Sequence, residues 1–185
     1  MMTIQKILTP TDFSTISVPA IGYALSLAKD HSAVVNVLHA VSADVMKKHF
    51  SDPYAPGGFA KPQEAPISVG RQLDIESLFE RKKQVLHNFL EQKIAPELLR
   101  AVKVNAVIKM GKVVEEILAV AKEEKCDLIV MTSHGGRLRR LLRGSFTDRV
   151  VRQAPCPVLS IQPWAEIRTQ ENKRMAISSI EQWAA

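Results

Sequence analysis

Chemistry in this chain is concentrated in one stretch, Asp127-Leu-Ile-Val-Met-Thr-Ser-His-Gly-Gly136, followed by Arg-Leu-Arg-Arg-Leu-Leu-Arg143 and Gly144-Ser-Phe-Thr147. Leu128 to Met131 is a short apolar run of the kind that forms a parallel strand buried on both faces, and it gives way abruptly to small and polar residues. Glycine there lets backbone N–H groups approach an anion that a Cβ would hold off. Gly144-Ser145 then opens a helix, whose N-terminus favours negative charge. The pattern predicts a phosphate cradle at a strand end, where open α/β sheets bind their ligands.

Four arginines, Arg137, Arg139, Arg140 and Arg143, fall inside this segment. They read either as the solvated face of a short helix whose Leu138, Leu141 and Leu142 turn inward, or as contacts to phosphate, with Arg137 and Arg139 the first candidates. Nucleic acid is a poor fit, because no aromatic residue is interleaved with the arginines to stack on bases. The net charge of +6 is otherwise dispersed. Ser145 and Thr147 offer hydroxyls and N–H groups either to a phosphate or to the helix start itself.

Around this segment strand and helix patterns alternate. Expected strands are Lys6 to Thr9, Val34 to Val41, Val102 to Lys109, Asp127 to Met131 and Val158 to Ile161. Expected helices are Ser17 to Lys29, with Ile21, Ala24, Leu25 and Ala28 on one face, Asp74 to Ile94 closed by Pro96, Val113 to Glu124, and Ser145 to Gln153. Such alternation predicts βαβ units and a parallel sheet. The segment 42–70 carries Pro53, Pro56, Gly57, Gly58, Pro62 and Pro66 and reads as a long loop inserted into a domain spanning 1–163. The tail 164–185 lies outside that unit, as a docked helix or a frayed extension.

A chain of 185 residues, 46% hydrophobic, suits one domain with a substantial core. No stretch approaches the roughly 20 apolar residues of a membrane helix, and Met1-Met-Thr-Ile-Gln-Lys6 lacks a secretory apolar run, so a cytoplasmic protein is expected. Cys126 and Cys156 sit beside predicted strands outside any metal or CxxC spacing and read as buried free thiols. His39, on the second strand, reads as a satisfied core residue, and His134 as a loop residue with a structural hydrogen bond or a phosphate contact. No Ser/His/Asp set or paired carboxylate points to catalysis, and no metal-ligand spacing is visible.

Taken together, Lys6-Ile-Leu-Thr-Pro-Thr-Asp-Phe-Ser14, Leu38-His39, Gly111 with Glu115-Glu116-Ile117, Asp127 to Met131, Ser133-His-Gly135, Gly144-Ser145 and Ala154-Pro-Cys-Pro-Val158 resemble the universal stress protein family. The resemblance covers roughly residues 3–163. It implies a five-stranded parallel sheet in the order 3-2-1-4-5 with helices on both faces, of the Rossmann-like, adenine nucleotide α-hydrolase-like kind. It also implies a homodimer formed through the last strand.

Family members that bind ATP resemble one another in a G-2x-G-9x-G-(S/T) pattern, from which this chain departs twice. Thr132 stands in place of the first glycine, and eight residues rather than nine separate Gly135 from Gly144. The missing residue would favour a shorter phosphate chain, ADP or AMP, over ATP. By the resemblance, Pro10 and Thr11 form the pocket wall, Asp12 accepts hydrogen bonds from ribose or adenine, and Ala40 lies beside the base. Met131, Thr132, Ser133, His134, Gly135, Gly144, Ser145, Phe146 and Thr147 complete the nucleotide-binding set, with Mg2+ as the ion that accompanies the nucleotide. From the residues alone, Asp12 also has the simpler reading of a cap for the helix that follows. The functional expectation is a stress-response sensor or switch for an adenine nucleotide. The alternatives are a nucleotide-independent dimeric interaction module and, lacking any identifiable water-positioning group, a weak ATPase.

Overall fold

The structure, a computed structural model, describes residues 3–42, 69–133 and 146–162, with the backbone alone over 69–75. Its elements in chain order are β1 (Lys6–Pro10), a 3-10 turn (Thr15–Ser17), α1 (Val18–His31), β2 (Val34–Val41), α2 (Val69–Lys93) and α3 (Pro96–Ala101). They continue with β3 (Lys103–Met110), α4 (Val113–Glu123), β4 (Leu128–Thr132), α5 (Phe146–Gln153) and β5 (Val158–Ile161). The five strands are parallel in the order β3-β2-β1-β4-β5. The central strand β1 therefore has β2 on one side and β4 on the other, and the chain changes direction across the sheet at β1 and β4.

Each strand presents alternate residues to two cores. Ile7, Val35, Val37 and Val130 face α1 and α2, where Ala20, Ile21, Ala24, Leu25 and Ala28 meet Leu78, Leu86, Phe89 and Leu90. Leu8, Leu38, Ile129 and Met131 face α4 and α5, packing on Val114, Ile117, Val120, Ala121 and Val150. The doubly covered sheet explains why its central strands are apolar without a polar alternation. At the C-terminus of α1, Ser32 adopts φ 54° and the Ala33 N–H bonds to the Ala28 carbonyl at 2.9 Å, which ends the helix in one residue and feeds β2.

Most element ends fall within two residues of the sequence expectation, with one larger shift and one unexpected helix. Helix α2 begins at Val69 rather than Asp74, so residues 69 and 70 belong to a helix and not to the inserted loop. The helix does end ahead of Pro96, at Lys93, but Pro96 also opens the short helix α3, which was not expected and where its fixed φ and missing N–H suit a first turn. Residues 43–68 of the inserted segment, residue 163 and the tail 164–185 lie outside the described residues.

Candidate functional site

A cavity of about 330 Å³ opens beyond the carboxyl ends of β1, β2 and β4. Its wall is formed by Pro10, Thr11 and Asp12 after β1, by Leu38, His39 and Ala40 of β2, and by Met131 and Thr132 of β4. Ser17, Val113 and Phe146 close it from the 3-10 turn and the starts of α4 and α5. The volume lies at the small end of the range for ligand pockets. The position is the topological switch point, where two neighbouring strands send their connections to opposite sides and leave a crevice.

The turn that leaves β1 is held by a directed chain of hydrogen bonds. The Thr11 N–H donates to the Leu38 carbonyl at 2.8 Å, continuing the β1–β2 ladder past the strand end. The Phe13 N–H donates to Thr11 Oγ1 at 3.0 Å, and Ser17 Oγ donates to the Ser14 carbonyl at 2.8 Å. Thr11 Oγ1 and Ser17 Oγ are 2.8 Å apart. Since the Ser17 proton is already committed to Ser14, the proton between the two hydroxyls belongs to Thr11. Asp12 Oδ1 accepts from both the Ser14 N–H at 3.0 Å and the Ser14 hydroxyl at 2.6 Å. The carboxylate thus fastens an Asx turn and does not cap α1, whose N-terminal turn carries Pro19.

His39 is the residue whose role sequence reasoning missed. It is satisfied, as expected, through Nδ1 and the Thr11 carbonyl at 2.9 Å, but it is only half-buried and lines the cavity instead of sitting in the core. A carbonyl oxygen only accepts, so Nδ1 carries the proton. Burial pushes the imidazole below its ordinary 6.5, and the Lys82 ammonium adds to this, while the Thr11 carbonyl and Asp12 work the other way. A register that pairs Pro10 with Leu38 places His39 level with the end of β1.

Of the other expected site residues, Thr132 ends β4 in strand conformation and is not among the described residues with positive φ, so its side chain imposes no left-handed strain. Ser133 donates its N–H to the Ile161 carbonyl at 2.8 Å, with its hydroxyl 3.4 Å from the same oxygen, and is spent on β5. Thr147 is buried in the first turn of α5. His134, Gly135, Arg137, Arg139, Gly144 and Ser145 lie outside the described residues. Among the described residues no group of three or more His, Cys, Asp or Glu is placed to hold a metal, and no helix is long and apolar enough to cross a membrane.

A five-stranded, doubly covered parallel sheet with its cavity at the switch point defines the class: an α/β protein of the adenine nucleotide α-hydrolase-like, Rossmann-like kind. The sequence profile of the Universal stress protein family matches residues 3–162, and the chain belongs to that family. It is 31% identical over 163 residues to universal stress protein MJ0577 of Methanocaldococcus jannaschii, covering 85% of this chain and 94% of the relative. It is likewise 31% identical over 159 residues to universal stress protein MJ0531 of the same organism, covering 85% and 82%. The solved structure of MJ0577 superposes with a TM-score of 0.56 at 28% identity, over 88% of this chain and 97% of that one. A universal stress protein solved in complex with cAMP shares the fold with a TM-score of 0.57 at 18% identity, over 87% and 98%.

Proposed function

We propose that this protein binds an adenine nucleotide in the cavity at the ends of β1, β2 and β4, and that it acts as a sensor or switch in the stress response rather than as a dedicated enzyme. The observation that carries the reading is the convergence on one cavity of Pro10, Thr11, Asp12, Ala40, Met131, Thr132 and Phe146, drawn from three strand ends and a helix start. Its wall suits the chemistry of a nucleoside. Leu38, Val113 and Met131 offer apolar surface to a base, while the Thr11–Asp12 turn brings hydroxyl, backbone and carboxylate groups to the rim for a ribose. A relative of the same fold held cAMP when solved, which supports adenine nucleotides as the ligand class.

In this reading the phosphates extend toward Thr147 in the first turn of α5, and Ser145, Arg137 and Arg139 are proposed as further contacts. ATP, ADP and AMP are the candidates, and Mg2+ arrives with the phosphates. The protein works in the cytoplasm as a homodimer paired through β5, an edge strand on which Leu159 is exposed while Val158 and Ile161 are half-buried. The departures at Thr132 and in the Gly135-to-Gly144 spacing favour a second reading, a dimeric interaction module that needs no nucleotide.

Calorimetric titration of the nucleotide-stripped protein with ATP, ADP and AMP, each with and without Mg2+, decides between them. Micromolar binding that weakens at least tenfold in Asp12→Ala is the expected result, and the ranking of the three ligands measures the effect of the shortened loop. Absence of heat and of any thermal shift with all three would sink the nucleotide reading and leave the interaction module.

A further inference from the structure

Three non-glycine residues among those described have positive φ: Phe13 at 64°, Ser32 at 54° and Lys125 at 52°. Ser32 and Lys125 follow helices, where a single left-handed residue is the usual way to stop. Phe13 has no such excuse. It lies between a strand and a 3-10 turn, and a bulky aromatic residue in this region is strained and persists only where its surroundings over-determine it.

They do. The Phe13 ring stacks on the His39 imidazole, with centroids 4.1 Å apart and planes 30° from parallel. Its other neighbours belong to α2: Phe89 meets it edge-on at 5.8 Å and 68°, and the Lys82 ammonium lies 6.0 Å from the ring centroid. The contacts close a circuit. His39 Nδ1 donates to the Thr11 carbonyl, the Phe13 N–H donates to Thr11 Oγ1, and the two rings touch. Asp12 sits inside that circuit, flanked on both sides by residues whose backbone is pinned.

We propose that Phe13 and His39 are a positioning pair: their stacked rings set the turn that presents Thr11 and Asp12 to the cavity and tie it to α2, so that ligand occupancy and the docking of α2 are coupled. The proposal rests on the nucleotide reading for its ligand and not for its geometry. Thr11, Asp12 and His39 line the cavity, whereas Phe13 is absent from the lining and acts through its neighbours. Whatever draws the Thr11–Asp12 turn toward a ligand pulls on the Phe13 backbone, hence on the ring wedged between His39 and Phe89. Conversely, tightening α2 on Phe13 holds the turn in its binding geometry, and binding that favours one of two arrangements shifts the population of both ends.

The decisive variant is Phe13→Gly, because glycine adopts φ 64° without steric penalty, so the change removes the side chain while the turn's backbone conformation stays accessible. Two readouts are taken on the full chain: affinity for AMP, ADP and ATP, and amide hydrogen exchange over residues 10–14 and 82–93. In the unaltered protein, saturating nucleotide slows exchange in both segments. In Phe13→Gly the affinity falls at least tenfold and the slowing over 82–93 is lost, while Phe13→Tyr, which keeps the ring, stays within about threefold of the original. If Phe13→Gly does not fold, His39→Gln keeps a donor to the Thr11 carbonyl but not the stack, and the same loss of response over 82–93 is expected there. Unchanged affinity in Phe13→Gly, or nucleotide binding that leaves exchange over 82–93 untouched in the unaltered protein, overturns the proposal. Should the unaltered protein bind none of the three nucleotides, the ligand reading fails by itself and the pair is judged ligand-free. Exchange rising together over 10–14 and 82–93 in Phe13→Gly then supports it, and a rise confined to 10–14 overturns it.

Discussion

The two ends of the sheet are built on opposite plans. At the amino ends, Asp127 Oδ2 accepts from the Gln5 and Lys6 N–H groups at 2.8 and 2.9 Å, and the Asp127 N–H returns a bond to the Lys6 carbonyl at 2.9 Å. The Val34 N–H reaches the Gln5 carbonyl at 2.8 Å, and the Asn105 amide donates to buried Asn36 at 3.0 Å. The thiols there are quiet: burial, with neighbouring Cys156, pushes Cys126 up to about 11, and burial raises Cys156 as well. At the carboxyl ends the chain keeps a cavity, a strained Phe13 and a half-buried titratable ring. One end spends its polar groups on joining strands, and the other holds them where a ligand can use them. A closely bonded end thus lets the end with the cavity carry strain, the usual division between scaffold and candidate site.

The largest expected effect breaks the closed end. Asp127→Ala removes one carboxylate oxygen shared by two main-chain donors and should cost about 2–3 kcal/mol, toward the low end for two bonds at about 1.5–3 kcal/mol each because the Gln5 bond is solvent-exposed and the Lys6 bond only part-buried. Urea denaturation measures it. Asp127→Asn, which retains an acceptor, should lose about half as much. The Lys6–Glu124 ion pair nearby is solvent-exposed and adds little. Nucleotide affinity at the other end should stay the same in both variants. An affinity change of tenfold or more would show that the two ends are not separable and that the comparison is wrong.

What could be read beforehand follows the same division. The strand segments and the inward faces of α1 and α4 were legible because continuous apolar runs and period-3.6 patterns report burial directly, as Ile21, Ala24, Leu25, Ala28, Ile117 and Ala121 show, whereas the order of the sheet followed from the family resemblance. Asp127 was read only as the start of a strand. Its bonds depend on the β1–β4 register, Ile7 to Leu128, which sets it beside Lys6, and a single strand carries no sign of that pairing. His39 was hidden by its setting in the apolar Val34–Val41 run; the clue was its place near the strand's carboxyl end, where side chains face the crevice. Phe13 gave no sign at all. Asp-Phe-Ser before a helix reads as an ordinary approach, and a positive φ at an aromatic residue comes from tertiary contacts, not local preference. The short helix α3 was missed because a proline can both stop one helix and start another, and only the following Leu98 and Leu99, packed on the α1–α2 core, show that Pro96 does the second as well.

A smaller effect, of opposite sign, sharpens the comparison. Thr9, fully buried in β1, has a hydroxyl with no hydrogen-bond partner among the described residues. Thr9→Val is nearly isosteric and removes a desolvated polar group, so it should stabilise the protein by about 1 kcal/mol in the same denaturation assay. No gain would mean that the hydroxyl finds a partner in solution.

The smallest expected effect is the acid response of the open end. In the folded chain His39 titrates below its ordinary 6.5, first because burial penalises the imidazolium and then because Lys82 repels it, against the pull of the Thr11 carbonyl and Asp12. The unfolded chain therefore takes up its proton first on acidification. Between 6.5 and the lower folded value the unfolded state holds more protons, so His39's contribution to stability is complete above pH 6.5 and is lost as pH falls through that window. The melting temperature should drop between pH 7.5 and pH 5.5, and His39→Gln, which cannot titrate, should flatten the drop. Asp127→Ala should lower the whole curve without changing its slope, because the group that responds to acid sits at the other end of the strands. If His39→Gln keeps the full slope, the acid sensitivity arises elsewhere and the open end has no special claim to it.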